Sequence, residues 1–433
     1  MKTIPRVILS SLPWVVGAAA WAQDPPSTTE QRLSALEEAY QKQSKDAADA
    51  MHVFWKDGLR MESADKRYKF KLGGRVHYDA AFFSPDDDTK AAVETGTTRI
   101  EDGTEIRRAR IEMSGEVADR VDWNTSYDFG GGTANFRNIY LGLKDLPFGN
   151  MRFGQYKEPY GLEQITSSNN ITFIERSLMN SFVPAFNAGV MVFDAPAEER
   201  MTWSLGVFRS GTDSGEVSKG DGEYALTARV TGLPVYKDEG QGLLHLGLGA
   251  SHRSPTDDTL TFSAKPEANL APAFVSGTFA AETLDLVGAE AAWVHGPLTL
   301  QSEYTLASIE GTSGSPDPAF DGYYVQASYF LTGETRSYNK AAGCFAGLKP
   351  AHNALAEGGG KGAWEVGLRY SAIDLVDDGI DEGELTDVTA GLNWYLNPNT
   401  RFMLNLISAD LEPTAPAADG QTEAIVLRAQ FNF

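Results

Sequence analysis

A two-residue alternation of apolar and polar side chains recurs from Phe70 to the last residue, and it limits the chain to few folds. The final ten residues, AIVLRAQFNF, place apolar side chains from Ile425 to Phe433 on one face of a strand and Arg428 and Gln430 on the other. Successive side chains of a strand point to opposite faces, so one face meets an apolar medium and the other meets water. We count about sixteen such runs, most near the ~10 residues that a tilted strand needs to cross a bilayer.

The connections between these runs alternate in length. After even-numbered runs they are short and carry turn residues, as in ADR, DLPFGN, APAEE, HGP and NPN. After odd-numbered runs most are longer and acidic or Gly-rich, as in SPDDDTKAAVETGTTRIEDGT, SGTDSGEVSKGDG, LVDDGIDEGE and EPTAPAADGQ. Short turns at one rim and long loops at the other are typical of an outer-membrane barrel. The predicted fold class is therefore all-β, a transmembrane antiparallel β-barrel of about 16 strands over residues 66–433.

Tryptophan positions support this fold. Aromatic residues favour strands in general, but a membrane barrel concentrates them near strand ends, where they meet the lipid headgroups. Most of the tryptophans in the predicted barrel lie near such ends. They are Trp123, Trp203, Trp293, Trp364 and Trp394.

The start of the chain predicts export. Lys2 and Arg6 precede an apolar run, and the tripeptide AWA that ends at Ala22 is a small-x-small cleavage pattern, so residues 1–22 are predicted to be a cleaved signal peptide. The alternative is a membrane anchor, but Pro13 interrupts the run, which is also shorter than the ~20 residues of a spanning helix. Export and a barrel together predict a location in the outer membrane of a Gram-negative cell.

Residues 23–60 are predicted to form a periplasmic helical or coiled-coil segment with a linker. Ser27 and Glu30 match a capping box, and three apolar residues follow the spacing of a coiled-coil seam. The seam residues are Leu33, Leu36 and Tyr40. Such a short segment forms only a marginal helix on its own. Two interpretations stay open: a capped helix that packs on its own domain, or a short coiled coil that associates with other copies.

Composition excludes several functions. The formal charge of −22 argues against nucleic-acid binding, because phosphate contacts need a basic face, and loss of the signal peptide makes the mature chain more acidic still. Cys344 is the single cysteine, so no intrachain disulfide can form. GGGKG fails as a phosphate-binding loop because Gly362 stands where Ser or Thr is needed, and no hydrolase motif is present. We therefore expect no enzyme activity, no cofactor and no metal.

Three stretches carry a resemblance to a known family: FKLGGRVHYD leading to EIRRARIEMSGEVADRVDWNTSYDF, then MRFGQYKEPYGLEQITSSNNITFIER, and finally GYYVQASYFLTGE with GLNWYLNPN. In these the chain resembles the phosphate-selective porins of O and P type, from about Phe70 to Phe433. The resemblance implies trimers of roughly 16-stranded barrels, each with its own pore and a loop folded inward. It also implies passive diffusion of small anions such as phosphate.

Two segments match a constriction inside the barrel. Residues 157–186 are too apolar for a free surface loop, so we expect them to fold into the lumen as an inward constriction loop and to shelter their apolar side chains. These side chains are Ile165, Ile171, Phe173 and Phe182. Residues 332–363 form the one long connection on the short-turn side and carry Arg336, Lys340, Lys349 and Lys361. For this second segment, entry into the barrel and a solvated periplasmic loop both stay open.

A ladder of basic residues can replace the hydration shell of an anion site by site. The candidate pore-lining and anion-binding residues are Lys71, Arg75, Arg108, Arg110, Arg176 and Arg253. The ladder is incomplete, because neutral residues stand where the family pattern leads us to expect basic ones. These are Gln164, Asn169, Leu306 and Ala307. We therefore expect a modest anion preference that includes phosphate, with a general or weakly cation-preferring porin and a structural outer-membrane tether as alternatives.

The expected partners follow from the same resemblance. They are small anions, further copies of the chain in a homotrimer, and outer-membrane lipid with lipopolysaccharide. The terminal Phe433 is also expected to be the signal that the barrel-assembly machinery reads, as in outer-membrane proteins in general. No nucleic-acid partner is expected.

Overall fold

The computed structural model of the chain describes residues 28–48, 51–209, 224–355 and 359–433. The signal peptide predicted for residues 1–22 lies outside these ranges and stays a prediction. The chain divides into two compact units, residues 1–52 with 62–66, and residues 53–61 with 67–433. None of the described helices is long and apolar enough to span a bilayer.

The first unit contains the helix α1 (Thr29–Ala48). Ser27 of the predicted capping box lies outside the described residues. Thr28 and Gln31 form such an exchange: the backbone N–H of Thr28 donates to the side chain of Gln31, and the N–H of Gln31 donates to the hydroxyl of Thr28. This exchange is that of a capping box, and it satisfies amide groups that the first turn leaves unpaired. The predicted seam is solvent-exposed in the single chain. Leu33, Leu36 and Tyr40 are 58, 67 and 70% exposed.

The described ranges contain twenty-one strands in chain order. They are β1 (Met51–Trp55), β2 (Leu59–Ser63), β3 (Lys69–Pro85), β4 (Gly103–Val117), β5 (Val121–Asp128), β6 (Asn135–Leu146), β7 (Gly149–Lys157), β8 (Phe186–Asp194), β9 (Met201–Arg209), β10 (Tyr224–Lys237), β11 (Gly242–Arg253), β12 (Thr259–Ala264), β13 (Val275–His295), β14 (Leu298–Gly311), β15 (Ala319–Phe330), β16 (Tyr338–Asn339), β17 (Cys344–Phe345), β18 (Ala363–Asp377), β19 (Ile380–Asn397), β20 (Thr400–Glu412) and β21 (Gly420–Asn432). Short helices lie in the connections. They are α2 (Asp87–Val93), α3 (Leu162–Ile165) and α4 (Pro196–Glu199), with 3₁₀ turns at Gly130–Gly132, Leu178–Ser181, Asp238–Gly240 and Thr256–Asp258.

Sixteen of these strands close into one antiparallel barrel. They are β3 to β11, β13 to β15 and β18 to β21, and each pairs with the next along the chain. The last strand pairs with the first, from Thr422 opposite Pro85 to Asn432 opposite Arg75. Because a closed sheet has no edge, its backbone groups are satisfied even where the wall faces lipid. The predicted fold class is confirmed.

The alternation of the closing strand has the predicted orientation. Ile425, Leu427 and Phe431 are exposed on the outer wall, whereas Arg428 and Gln430 are buried in the interior. The tryptophans of the predicted girdle all lie toward the short-turn ends of their strands, and Trp364 stacks on Trp394 at 5.2 Å between ring centroids. The wall therefore presents an apolar outer face with an aromatic rim.

One predicted loop is wrong. The segment LVDDGIDEGE is not an acidic loop, because β18 runs to Asp377 and β19 begins at Ile380. Only Asp378 and Gly379 form the turn, with φ of 49° and 78°. Positive φ at both central residues is the geometry that matches the twist of a hairpin, so the two strands continue to the tip.

The interior of the barrel is largely filled by its own connections. Residues 158–185, which join β7 to β8, lie inside the barrel and are named the inward loop below; Phe173 is fully buried there, whereas Ile165 is only partly buried. Residues 331–362 enter from the short-turn rim: Arg336 donates to the side chain of Gln301 on β14 and to the carbonyl of Asn170. The question left open for this second segment is thus answered for part of it, since Arg336, Tyr338 and Phe345 reach the lumen.

A third connection, residues 254–274, crosses the long-loop mouth. Its Asn269 donates to Glu105 on β4, while its Glu267 bonds Arg369 on β18 and Thr389 on β19. Its apolar residues pack with the inward loop, as in the edge-to-face contact of Phe182 and Phe262 at 4.7 Å. The β11 to β21 side of the lumen is therefore filled with protein.

Gly288→Ala tests the packing that holds the inward loop on this side. A Cβ atom at Gly288 would lie 2.6 Å from the hydroxyl oxygen of Tyr160, which is 1% exposed. Overpacking of this kind costs about 1–3 kcal/mol, so we expect a lower unfolding temperature in detergent and a larger single-pore conductance. Heat-modifiable electrophoretic mobility and planar-bilayer recordings measure the two effects.

Gly232→Ala is the matched control for that substitution. Gly232 also lies on a barrel strand, but no atom lies within 4 Å of its added Cβ. Equal behaviour of the two variants would contradict the packing of Tyr160 on Gly288.

Candidate functional site

The inward loop is tied to the wall by hydrogen bonds from successive strands. Glu303 on β14 accepts the backbone N–H groups of Leu162 and Glu163 at 2.6 and 2.7 Å. Arg401 on β20 donates to the carbonyl of Ile171 at 3.0 Å. These contacts anchor the loop on the β14 to β21 side. An open space lined by residues of β3 to β8 remains beside the loop, and we call it the passage.

An ion network fixes the tip of the loop. Arg428 on β21 donates to Asp79 on β3 at 2.7 Å and to Glu175 of the loop at 2.7 Å. Glu175 also accepts from Arg107 at 2.9 Å and lies 3.7 Å from Arg108. Burial alone would raise the pKa of Glu175, but the charges of these arginines outweigh burial and hold its pKa well below the ordinary value.

The passage widens beside this network into a cavity of about 490 Å³. Its lining holds seven cationic side chains, named the cationic cluster below, against two carboxylates. The cluster consists of Arg75, Arg107, Arg108, Arg110, Arg137, Lys157 and Arg176. The carboxylates are Glu112 and Asp128. This excess of positive charge, next to low-dielectric protein, creates a potential that attracts anions.

A β-bulge supplies one member of the cluster. The register of β3 with β4 shifts between His77, opposite Arg108, and Tyr78, opposite Ile106. Arg107 is the extra residue, and its side chain turns inward to reach Glu175. The bulge thus brings two consecutive arginines into the lumen, which strict alternation does not allow.

Hydroxyls and backbone carbonyls help to hold three of the cations. Arg75 donates to the hydroxyls of Ser167 and Ser168 at 3.1 and 3.0 Å, and it lies 3.7 Å from Glu112. Arg176 donates to backbone carbonyls of the loop, including that of Thr166 at 3.0 Å, and Lys157 donates to the same carbonyl at 3.3 Å. In the described chain no carboxylate lies within 4 Å of Lys157 or Arg176. Their charges are fixed in position without being neutralised.

A second part of the cluster surrounds an aromatic ring. Arg110 forms two bonds with Asp128, at 3.2 and 2.8 Å, and lies 5.9 Å from the ring centroid of Phe186. Arg137 and Lys157 approach the same ring at 5.5 and 5.8 Å. The ring faces of aromatic side chains attract cations, so Phe186 helps to keep three positive charges together.

The structure brings together four of the six residues predicted from the sequence, Arg75, Arg108, Arg110 and Arg176. Lys71 lies on β3 outside the cavity lining. Arg253 forms a two-bond pair with Glu158, at 2.8 and 3.1 Å, and lies outside the cluster.

Sequence reasoning missed three cluster members. Arg107 requires the bulge, Arg137 follows a register shift in β6, and Lys157 ends β7. The FGQYK motif that contains Lys157 was the available signal for the last of these.

A closed barrel of sixteen antiparallel strands, with short turns at one rim and a lumen narrowed by an inward loop, defines an outer-membrane porin. The family model described as phosphate-selective porin O and P matches residues 70–433. The chain belongs to this family. Porin O of Pseudomonas aeruginosa is 25% identical over 424 residues, covering 90% of this chain and 93% of that protein. A protein of Caulobacter vibrioides is 27% identical over 394 residues, covering 88% of this chain and 76% of that protein.

Solved structures share the fold. The outer-membrane channel DcaP of Acinetobacter baumannii aligns with a TM-score of 0.54 and 14% identity, covering 86% of this chain and 99% of that chain. An anion-selective porin from Comamonas acidovorans aligns with a TM-score of 0.52 and 13% identity, covering 84% of this chain and all of the other. At these identities the likeness concerns the fold alone.

The depressed pKa of Glu175 predicts how the inward loop responds to acid. A carboxylate of this kind stabilises the folded state above its unfolded pKa, and the effect is lost as the pH falls through the folded pKa. The ordinary value is 4.5. Single-pore conductance should therefore stay constant from neutral pH down to about pH 5, and current noise should rise only in stronger acid.

Glu175→Gln provides the comparison for this pH series. It removes the charge at all pH values, so it should show at neutral pH the noise that the wild type shows in strong acid. Asp87→Asn, at a fully exposed carboxylate of α2, is the control and should behave as wild type. Wild-type noise that already rises between pH 7 and about pH 5 would contradict the assigned role of Glu175.

Proposed function

We propose that this porin is a passive diffusion channel with a modest preference for small anions, phosphate among them. The observation that carries the proposal is the cationic cluster, where seven positive side chains meet two carboxylates at the edge of the inward loop. The family description names phosphate, and one solved porin of the same fold is described as anion-selective. Both agree with the charge of the passage.

The net charge of the chain would favour cations, whereas the charge of the passage favours anions. We expect the local charge to determine the ion preference. The formal charge is −22, but exposed charges are screened beyond about 8 Å at physiological salt. A narrow passage with low-dielectric walls focuses the field of the groups that line it. An ion in the cavity therefore responds to the cationic cluster more than to the acidic rims.

Strict phosphate selection is not proposed, because much of the remaining basic wall is neutralised. Arg229 forms a two-bond pair with Glu290, Arg253 is paired with Glu158, and Arg369 is bonded to acidic residues of two connections. A guanidinium held by a carboxylate offers an anion little net charge. The cluster is thus one strong site rather than a continuous ladder.

Arg108→Glu combined with Arg110→Glu should reverse the ion preference. The zero-current potential across a gradient of potassium chloride reports that preference, and its sign should change. Each substitution replaces a positive charge of the lining with a negative one, so the balance of the cavity changes by four charges. The milder variants Arg137→Gln and Lys157→Gln should reduce the zero-current potential without reversing its sign. They keep the proposal testable if the double variant does not fold.

The matched control is Arg67→Glu combined with Arg99→Glu. Both side chains are about half exposed, and neither lines the cavity. This control makes the same change in net charge and should leave the zero-current potential nearly unaltered. Cation preference in the wild type, or equal effects of the two double variants, would favour a general porin. Absence of conductance from a folded barrel would favour the structural tether.

We further propose that three copies assemble, with α1 forming a short coiled coil in the periplasm. The exposed apolar seam of α1 supports this, because isolated helices of this length gain little stability without a partner. Surrounding lipid and lipopolysaccharide would contact the apolar outer wall. Recognition of Phe433 by the barrel-assembly machinery is proposed on its position at the end of the closing strand.

Deletion of residues 27–50 tests the role assigned to α1. If the seam serves only association, conductance per pore should be unchanged, while the trimer should dissociate at a lower temperature. Bilayer recordings and semi-native electrophoresis measure the two quantities. The double variant Leu33→Ala and Leu36→Ala is the matched control, because it retains the helix. A change in single-pore conductance in the deletion variant or in the double variant would overturn this assignment.

A further inference from the structure

A single arginine of the lumen wall is held by aromatic rings instead of by acceptors. Arg152 lies on β7, on the face opposite the exposed Phe153. Its guanidinium carbon lies 4.0 Å from the ring centroid of Tyr140, 5.0 Å from that of Phe193 and 5.4 Å from that of Tyr156. Guanidinium groups stack well on such rings, and this arrangement fixes the position of the charge.

Arg152 has no ion-pair partner among the described residues. Several other wall arginines do, as Arg110 has in Asp128 and Arg229 in Glu290. Across the described ranges no carboxylate lies within 4 Å of Arg152, and its Nε is buried without a hydrogen-bond acceptor. A fixed, half-buried guanidinium without a carboxylate partner can bind an anion that reaches it.

The neighbours of Arg152 are otherwise apolar or small. Gly142 is directly opposite on β6, and Met191 is opposite on β8. The nearest carboxylate in register is Asp122, which leans over Gly142 from β5 but does not come within ion-pair distance of Arg152. The site therefore offers one planar donor group beside ring surface.

Its position makes it a separate step along the passage. A strand rises ~3.3 Å per residue, so Arg152 lies roughly 16 Å from Lys157 of the cationic cluster along β7, toward the short-turn rim. This spacing is too large for one small anion to contact both. An anion that leaves the cluster toward that rim would meet Arg152 next.

We propose that Arg152, with Tyr140 and Phe193, forms a second anion site that favours flat monocarboxylates with an apolar body. One guanidinium matches one carboxylate in a two-bond fork, and the half-buried rings of Tyr140 and Phe193 give the apolar body a surface to contact. Phosphate lacks an apolar part and is better served by several donors, which the cationic cluster supplies. The inference rests on the proposed function, since it assumes that anions cross this lumen.

Block of chloride current by benzoate tests the site. Purified full-length porin in a planar bilayer carries chloride, and benzoate is added on the short-turn side in increasing concentration. Arg152→Gln should raise the half-blocking concentration of benzoate about tenfold, the size expected for loss of a charge-assisted pair of hydrogen bonds. The half-blocking concentration of phosphate should change less than about twofold in the same variant.

Two further variants separate the effect of the planar two-bond geometry of Arg152 from the effect of its charge. Arg152→Lys keeps the charge but loses the planar fork, so it should recover only part of the benzoate block; block equal to that of the wild type would overturn the preference for flat carboxylates. Arg209→Gln is the matched control. The guanidinium carbon of Arg209 also lies 4.8 Å from a ring centroid, that of Tyr224. Arg209 lies at the long-loop end of β9, however, whereas Arg152 lies near the short-turn end of β7. The control should leave the benzoate block unchanged.

The failure of this inference is distinguishable from failure of the proposed function. Unchanged benzoate block in Arg152→Gln, or equal shifts for benzoate and phosphate, would overturn the second site while the anion preference stands. A wild-type zero-current potential that shows no anion preference would instead overturn the proposed function. Heat-modifiable mobility equal to that of the wild type identifies the variants that have folded.

Discussion

Every backbone N–H and C=O that faces lipid must be hydrogen-bonded within the protein, and the rest of this structure depends on that constraint. An open sheet leaves a row of such groups at each edge, so the last strand has to find the first. Here β21 meets β3, and the terminal Phe433 exchanges two backbone hydrogen bonds with Gly74. Closure in turn separates an apolar outer face from an inner face that can carry charge.

Inside the barrel a second constraint operates, because charges withdrawn from water need partners. The lumen contains carboxylates that each bond a particular arginine, as Asp79 does with Arg428 and Glu290 with Arg229. Removing one partner of such a pair is costly, since the other charge is left buried and unpaired. The Glu303 anchor, and Arg369 bonded to Glu163 and Glu267, hold the connections against the β11 to β21 wall. The open passage, where cations outnumber carboxylates, is what remains on the other side.

The six candidate residues came from the resemblance to the family as well as from strand faces, and four of them lie in one cavity. Alternation was enough to predict the barrel and its strand faces, because a two-residue period is a local property. It failed where one extra residue changes the period, as at Arg107, where the bulge depends on the pairing of β4 with β3. Alternation also failed to predict contacts between side chains that are distant in sequence. Arg253 is neutralised by Glu158, and Arg152 is held by Tyr140 and Phe193, from other strands. No local pattern reports such contacts.

The acidity of the chain and the basic character of its passage are compatible because the two charges serve different parts of the fold. Among the described residues, eleven of the fifteen non-glycine residues with positive φ are Asp or Glu, and most of these lie in turns at the barrel rims. Asp adopts this backbone conformation more readily than most residues, since its short side chain can bond the nearby backbone, and exposed rims solvate the charge. Part of the negative charge is thus a product of how the strands are joined. The cations, in contrast, lie on strand faces and on the inward loop, where low-dielectric walls extend their field across the passage. Changes at the rims should therefore alter the net charge of this porin with little effect on the ions that cross it.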